Sequence, residues 1–155
     1  MDTCGSIFTQ AFLSGDDILL NFQFLQSDGI TAKPMTGYVV GLTIKTSLTD
    51  SNGNLTLDSA AVFQKDLAGD ATGIFHYTIP GQTTGQPTLN PGTFFLDLKQ
   101  WDSTSKRTTV LTTKLPINQS VALRSTPATA PSGSVANQPI TIKVLPLVSS
   151  IQISY

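Results

Sequence analysis

Residue types capable of catalysis or metal binding are sparse in this sequence. The only histidine, His76, lies in a predicted strand with no Cys, His or Glu at ligand spacing, and the only cysteine, Cys4, lies near the N-terminus. The adjacent Asp16 and Asp17 directly precede an apolar strand, which indicates solvated residues at a strand entry rather than an acid–base pair. No Gly-x-Ser-x-Gly elbow, P-loop or dinucleotide-binding glycine pattern occurs. We therefore predict that the protein is not an enzyme, has no catalytic residues, and binds neither a cofactor nor a metal ion.

The segment Asp50-Ser51-Asn52-Gly53-Asn54 has some features of a calcium-binding loop. An EF-hand loop needs glycine at its sixth position and a bidentate Glu at its twelfth. In a loop beginning at Asp50, Gly53 is fourth and Ala61 is twelfth. The segment is better interpreted as a turn, because Asn-Gly readily adopts the positive φ angles that hairpins need.

Exposed aromatic side chains can form a platform for sugars, and the candidates here are Trp101 with Tyr38 or Tyr77. Trp101 ends a predicted strand next to a turn, a position that suits either a lid over a sugar or a plug at the end of a sandwich. We favour the plug, because large aromatic side chains mostly supply buried area. Glycan binding stays an alternative.

The composition favours strands and turns over helices. All ten acidic residues are Asp and none is Glu, and the 155 residues include 12 Gly and 9 Pro; Asp bonds to nearby backbone and favours turns and caps. A net charge of -1 with nine basic residues argues against a nucleic-acid partner, and a single cysteine excludes an internal disulfide framework. No apolar run is long enough for a membrane span. Because the N-terminus lacks signal-peptide features, we expect synthesis in a cytoplasm and no classical secretion.

Alternating apolar residues predict about seven strands at roughly ten-residue spacing. The predicted strands are 7–12, 16–26, 37–48, 55–64, 71–80, 93–102 and 107–123. Pro116 lies inside the last of these, so that strand is either at an edge or broken there. The pattern is typical of an all-β, immunoglobulin-like antiparallel β-sandwich.

The composition changes at Ser125, and we predict a sandwich over 1–124, a Pro/Ser-rich linker over 125–139 and a C-terminal β-arm over 140–155. The arm is too short to form its own core, so it must pack on the sandwich or on a neighbour. Strand addition to another subunit's sheet edge and return to the same chain are both open. The candidate partner-binding residues are Ile140, Ile142, Val144, Leu147, Ile151, Ile153 and Tyr155.

Several short motifs occur in a distinctive order. Gly15-Asp16-Asp17-Ile18 opens a strand, Pro34-Met35-Thr36-Gly37-Tyr38 precedes the next, and Leu89-Asn90-Pro91-Gly92 leads into Thr93-Phe94-Phe95-Leu96-Asp97. Together they resemble the small immunoglobulin-like domains of phage tail and baseplate proteins, including the N-terminal domains of baseplate upper proteins. The resemblance covers about 15–117 and leaves out everything from Ser125 onward.

The resemblance implies a structural role in a virion, with assembly through protein contacts and no catalysis. We accordingly expect a virion protein of the tail, baseplate or fibre attachment that forms homo-oligomers and binds other virion structural proteins. Neither nucleic acid nor a membrane is an expected partner. A carbohydrate-binding module for host recognition and a capsid decoration protein stay open as alternatives.

Overall fold

The computed structural model describes residues 7–8, 10–120 and 140–145, together with the backbone of 153–154, and these form an all-β protein. One short 3-10 turn, Asp58–Ala60, is the only helical element in this part of the chain. The strands are β1 (Phe12–Leu13), β2 (Ile18–Phe24), β3 (Val39–Lys45), β4 (Phe63–Ala68), β5 (Ile74–Ile79), β6 (Gln82–Thr83), β7 (Gln86–Pro87), β8 (Gly92–Trp101), β9 (Arg107–Asn118), β10 (Ile140–Val144) and β11 (Ile153–Ser154). The all-β prediction is therefore confirmed.

The larger sheet has five strands in the order β1-β9-β8-β3-β4. Its centre is the long antiparallel pair of β8 and β9, with a bulge between Leu98 and Lys99. β1 pairs in parallel with the end of β9, at Ile117 and Asn118. β9 continues unbroken through Pro116, which a strand tolerates where no ladder bond is needed from its nitrogen.

The smaller sheet has four strands in the order β11-β10-β2-β5, and β6 and β7 form a separate short hairpin. β2 and β5 are antiparallel, whereas β10 pairs in parallel with β2. With the parallel β1–β9 pair, this makes both sheets mixed rather than purely antiparallel as predicted. The physical reason is connectivity: tight turns enforce antiparallel neighbours, and the partners in both parallel pairs are far apart in the sequence.

Side chains from both sheets form one hydrophobic core. The predicted inward face of β2 is confirmed, since alternate residues from Ile18 to Phe24 are buried. Tyr77 of β5 is buried, and its hydroxyl donates a hydrogen bond to the carbonyl oxygen of Val40 on β3 at 2.7 Å. This bond ties the two sheets together across the core.

The predicted strand over 55–64 is wrong for most of its length. Apart from the 3-10 turn, residues 55–62 form a loop, and the strand begins at Phe63. Leu55 and Leu57 alternate as a strand would require, but they are 82% and 75% exposed. Alternation produces a buried strand only where the apolar side chains reach a core, which these two do not.

Candidate functional site

The first candidate site is β10, the strand that the C-terminal part of the chain adds to the smaller sheet, far in the sequence from its neighbour β2. β10 lies between β2 and β11, and Ile140 to Val144 align with Leu20 to Phe24. Ile142 is fully buried and Val144 is 2% exposed, whereas Ile140 is half-buried. Two of the seven predicted arm residues are therefore part of the core of the chain that carries them.

The ladder between β10 and β2 continues one residue past the end of β2. The backbone N–H of Leu25 donates to the carbonyl oxygen of Val144 at 2.8 Å. β11 then pairs antiparallel with β10, placing Ile153 opposite Val144. The remaining predicted arm residues, Leu147, Ile151 and Tyr155, lie outside the described residues, so their partner-binding role stays a prediction. The domain boundaries at 124–125 and 139–140 also lie outside them and stay predictions.

The end of β9, at Asn118, lies close to the start of β10, at Ile140. Ser14 donates its N–H to the carbonyl oxygen of Asn118 at 2.8 Å, and β2 begins four residues after Ser14. Since Ile140 lies beside Leu20, strand spacings place Asn118 and Ile140 within about 30 Å of each other. The chain between them can extend to about 70 Å. Its contour length is thus roughly twice what a return within one protomer requires.

The predicted sugar platform is not assembled. Tyr77 is buried in the core, and Tyr38 is half-buried, with the Lys33 ammonium 5.6 Å from its ring centroid. Trp101 is not a plug at the end of the sandwich: its indole lies on the outer face of the larger sheet over Gly41. A Cβ atom at Gly41 would lie only 2.9 Å from Cζ3 of Trp101. Glycine at this position lets the indole lie against the sheet.

A second candidate site is a groove of about 480 Å³ on that same outer face, here called the outer groove. Its floor comes from β3, β8 and β9. The floor residues are Thr43, Phe95, Asp97, Lys99, Thr109 and Thr112. Asp97 carries two contacts, an ion pair with Lys99 and a hydrogen bond of 2.8 Å donated by the Thr112 hydroxyl. The floor is therefore polar, with Phe95 as its aromatic member.

One wall of the outer groove is the loop between β3 and β4. Lys45, at the end of β3, holds this loop: its ammonium donates to the carbonyl oxygen of Thr56 at 2.9 Å and lies 3.3 Å from Oδ1 of Asp58. Leu55 contributes an exposed apolar side chain to the same wall. Arg107, at the start of β9, also lines the groove, and its guanidinium has no ion pair or hydrogen bond within the described part of the chain.

Sequence reasoning did not find the outer groove. The available signal was the alternation of Phe95, Asp97 and Lys99, which places three groups of different chemistry on one face of β8. A pattern on one strand does not reveal which loop borders it, and the Lys45 contacts that place the wall join residues eleven and thirteen positions apart.

The residues first considered for catalysis have structural partners. Nδ1 of His76 lies 2.6 Å from Oδ1 of Asn21, which pairs the exposed faces of neighbouring strands. Asp17 accepts a hydrogen bond of 2.7 Å from the N–H of Gly81 and so ties the start of β2 to the turn after β5. Cys4 lies outside the described residues. Among those that are described, no group of three or more His, Cys, Asp or Glu side chains could hold a metal ion.

Four aspartates share one local role at exposed turns. Each accepts hydrogen bonds from backbone N–H groups two to four residues further along, and three also accept from a threonine hydroxyl. They are Asp28, Asp50, Asp70 and Asp102. These bonds lower the pKa of each carboxyl below its ordinary value, because they favour the ionised form. The Asp50 segment is thus a closed turn, as predicted.

Comparisons with known proteins gave no relatives. No protein-family model, curated protein or solved structure matches the chain. Within the described residues there is also no helix long and apolar enough to cross a membrane. The geometry of the C-terminal strand and of the outer groove is therefore the basis for the functional proposals below.

Proposed function

We propose that the protein is a non-enzymatic structural component of a phage virion, in the tail, baseplate or fibre attachment, that assembles by exchanging β10 between neighbouring copies. The virion context rests on the motif resemblance over 15–117. The observation that supports exchange is β10 itself, a buried core strand delivered by a segment about twice as long as its return requires.

The core needs this strand to be present. Without β10, the described part of the smaller sheet would retain only β2 and β5, and a two-stranded sheet is marginal in water. Burial of Ile142 and Val144 contributes about 1.5–3 kcal/mol for each side chain. We therefore expect the site beside β2 to be filled, either by the strand of the same chain or by that of a neighbour.

The two arrangements have the same contacts, so little free energy separates them. Domain exchange is a low-cost route to oligomers for this reason. Pairing of β10 with β2 of its own chain is favoured because the linker holds β10 at a high effective concentration near β2. This concentration is in the millimolar range for short flexible linkers and falls as the linker lengthens. A long linker and a crowded, symmetric particle both shift the balance towards exchange.

The finer description of the fold as immunoglobulin-like also belongs to this proposal. The order β9-β8-β3-β4 corresponds to strands G, F, C and C′ of a variable-type domain, and β2-β5 corresponds to B and E. β10 then takes the place beside strand B that the first strand of that fold occupies. A module in which a strand from the C-terminal part of the chain fills this place is suited to accept that strand from another copy.

The test is a disulfide across the exchanged pair. In a Cys4→Ser background, Gln23→Cys and Lys143→Cys place thiols on directly aligned residues of β2 and β10. Exchange predicts covalently linked dimers or larger species on a non-reducing gel. Gln23→Cys with Ile74→Cys is the matched control, since it joins β2 to β5 and should give a monomer. Exchange is ruled out if both cysteine pairs form disulfides within monomers alone at every protein concentration, from dilute solution to the solubility limit.

The virion role is tested separately, by electron microscopy of purified particles with the protein labelled. We expect label at a tail, baseplate or fibre. Particles that lack the protein would contradict this role even if β10 exchanges in solution.

A further inference from the structure

We propose that the outer groove is a binding site for a carboxylated sugar, an activity separate from assembly. The groove lies on the outer face of the larger sheet, whereas β10 belongs to the smaller one. At about 480 Å³ its volume lies within the ~300–1,000 Å³ typical of small-ligand sites. Its lining combines charged, hydroxyl and aromatic groups.

Charge complementarity points to an anionic ligand. The groove contains three cations, Lys45, Lys99 and Arg107, against two carboxylates, Asp58 and Asp97. Both lysines are ion-paired to these carboxylates, which leaves the Arg107 guanidinium as the unpaired charge in the described structure. A planar guanidinium binds a carboxylate through two parallel hydrogen bonds, so Arg107 is the natural anchor for such a group.

The remaining lining suits a polyhydroxylated ring. Thr109 and Thr112 are exposed on the strand that carries Arg107, and a hydroxyl can both donate and accept a hydrogen bond. Asp97 adds an acceptor and Lys99 a donor from the neighbouring strand. Phe95 offers an aromatic surface against which the C–H face of a sugar ring can pack.

An acidic peptide fits this groove less well. A common way for an extended peptide to bind is to add a strand to a free sheet edge, where unpaired backbone groups are available. The floor of the outer groove is instead the face of the sheet, where β8 is paired on both sides with β3 and β9. β1 covers β9 only at Ile117 and Asn118, so a peptide strand would add along the remaining edge of β9 and not over the groove floor. Recognition must come from side chains, as it does for sugars.

The experiment is an NMR titration of the full chain, labelled with ¹⁵N. The probes are galacturonic acid and N-acetylneuraminic acid, with galactose as the neutral control, acetate as the simple anion and an acidic peptide as the other ligand class. We expect at least one acidic sugar to shift the amides of β8 and β9 around Lys99 and Thr109. The Arg107→Gln variant should bind it at least about tenfold more weakly, the value expected for loss of charge-assisted hydrogen bonds.

Lys106→Gln is the matched control, because it removes the same charge from the adjacent residue, which does not line the groove. It should bind like the parent protein, and amide spectra of both variants report whether the fold is intact. No shift with either acidic sugar, equal shifts with acetate or galactose, or preferential binding of the peptide would each overturn the proposal. Equal losses in the Arg107→Gln and Lys106→Gln variants would also overturn it.

Discussion

Replacement of Ile142 by alanine tests whether β10 is an obligatory part of the core. Ile142 is fully buried and lies beside Phe22 of β2. The substitution removes three carbon groups, worth about 2.4 kcal/mol at about 0.8 kcal/mol each. The cavity left behind adds to this loss, and the usual range for Ile→Ala in a core is about 2–5 kcal/mol.

The matched control is Thr141→Ala. Thr141 is the preceding residue of the same strand, and it is exposed on the opposite face. A surface substitution of this kind should change the free energy of unfolding by less than about 0.5 kcal/mol. The difference between the two variants therefore isolates the buried face of β10 from any general effect of altering the strand.

Urea denaturation at one fixed protein concentration measures both values, because exchange of β10 would make the unfolding midpoint depend on concentration. In a thermal scan, the Ile142→Ala loss corresponds to a fall in Tm of about 4–20 °C for a chain of this size. If Ile142→Ala and Thr141→Ala are equally mild, then Ile142 is not in the core and the reasoning about β10 fails, including the exchange proposal.

Two further predictions concern the core and the turns. Tyr77→Phe removes the hydrogen bond that the Tyr77 hydroxyl donates to the Val40 carbonyl oxygen, so it should destabilise the fold by about 0.5–1.5 kcal/mol in urea denaturation. Tyr38→Phe should be nearly neutral, and equal effects would contradict the bond between the sheets. The carboxyls of Asp28, Asp50, Asp70 and Asp102 have lower pKa values in the folded state than in the unfolded state. Their ionised forms therefore stabilise the fold fully above the pKa of an unfolded Asp, near 4, and this stabilisation is lost as the pH falls through the lowered folded-state pKa values. Tm measured from pH 7 to pH 2 should fall below about pH 4, and replacement of all four by Asn should make that fall shallower; an unchanged profile would contradict their role.

The strands with strong alternation could be predicted because one sheet face is buried. β2 is the clearest case, since Ile18, Leu20, Phe22 and Phe24 face the core as the pattern indicates. The same rule failed at Leu55 and Leu57, where the alternation is present but no core lies beneath it. Local sequence carries the periodicity of side chains, whereas the presence of a partner surface is a property of the whole fold.

Trp101 shows a second limit. Its position at the end of β8 was compatible with a plug, and nothing near it in the sequence indicates otherwise. Its placement depends on Gly41, which lies sixty residues earlier on a neighbouring strand and has no side chain to block the indole. The parallel pairing of β10 with β2 could not be predicted for the same reason. A long linker allows β10 to pair with several strand edges in either direction, and only the completed sheet selects one of them.

The two proposed sites reinforce each other through their positions. The outer groove lies on the outer face of β3, β8 and β9, and β10 lies in the other sheet, so exchange of β10 leaves the groove's lining unchanged. Each added copy then brings another groove into the assembly. A single groove with one guanidinium anchor is expected to bind a sugar weakly, but linked grooves engaging a repeated glycan gain affinity by about 10²–10⁴ without any new contact. An assembly held by strand exchange would in this way convert a weak site into an effective one, because the proposed exchange of β10 multiplies the proposed sugar site.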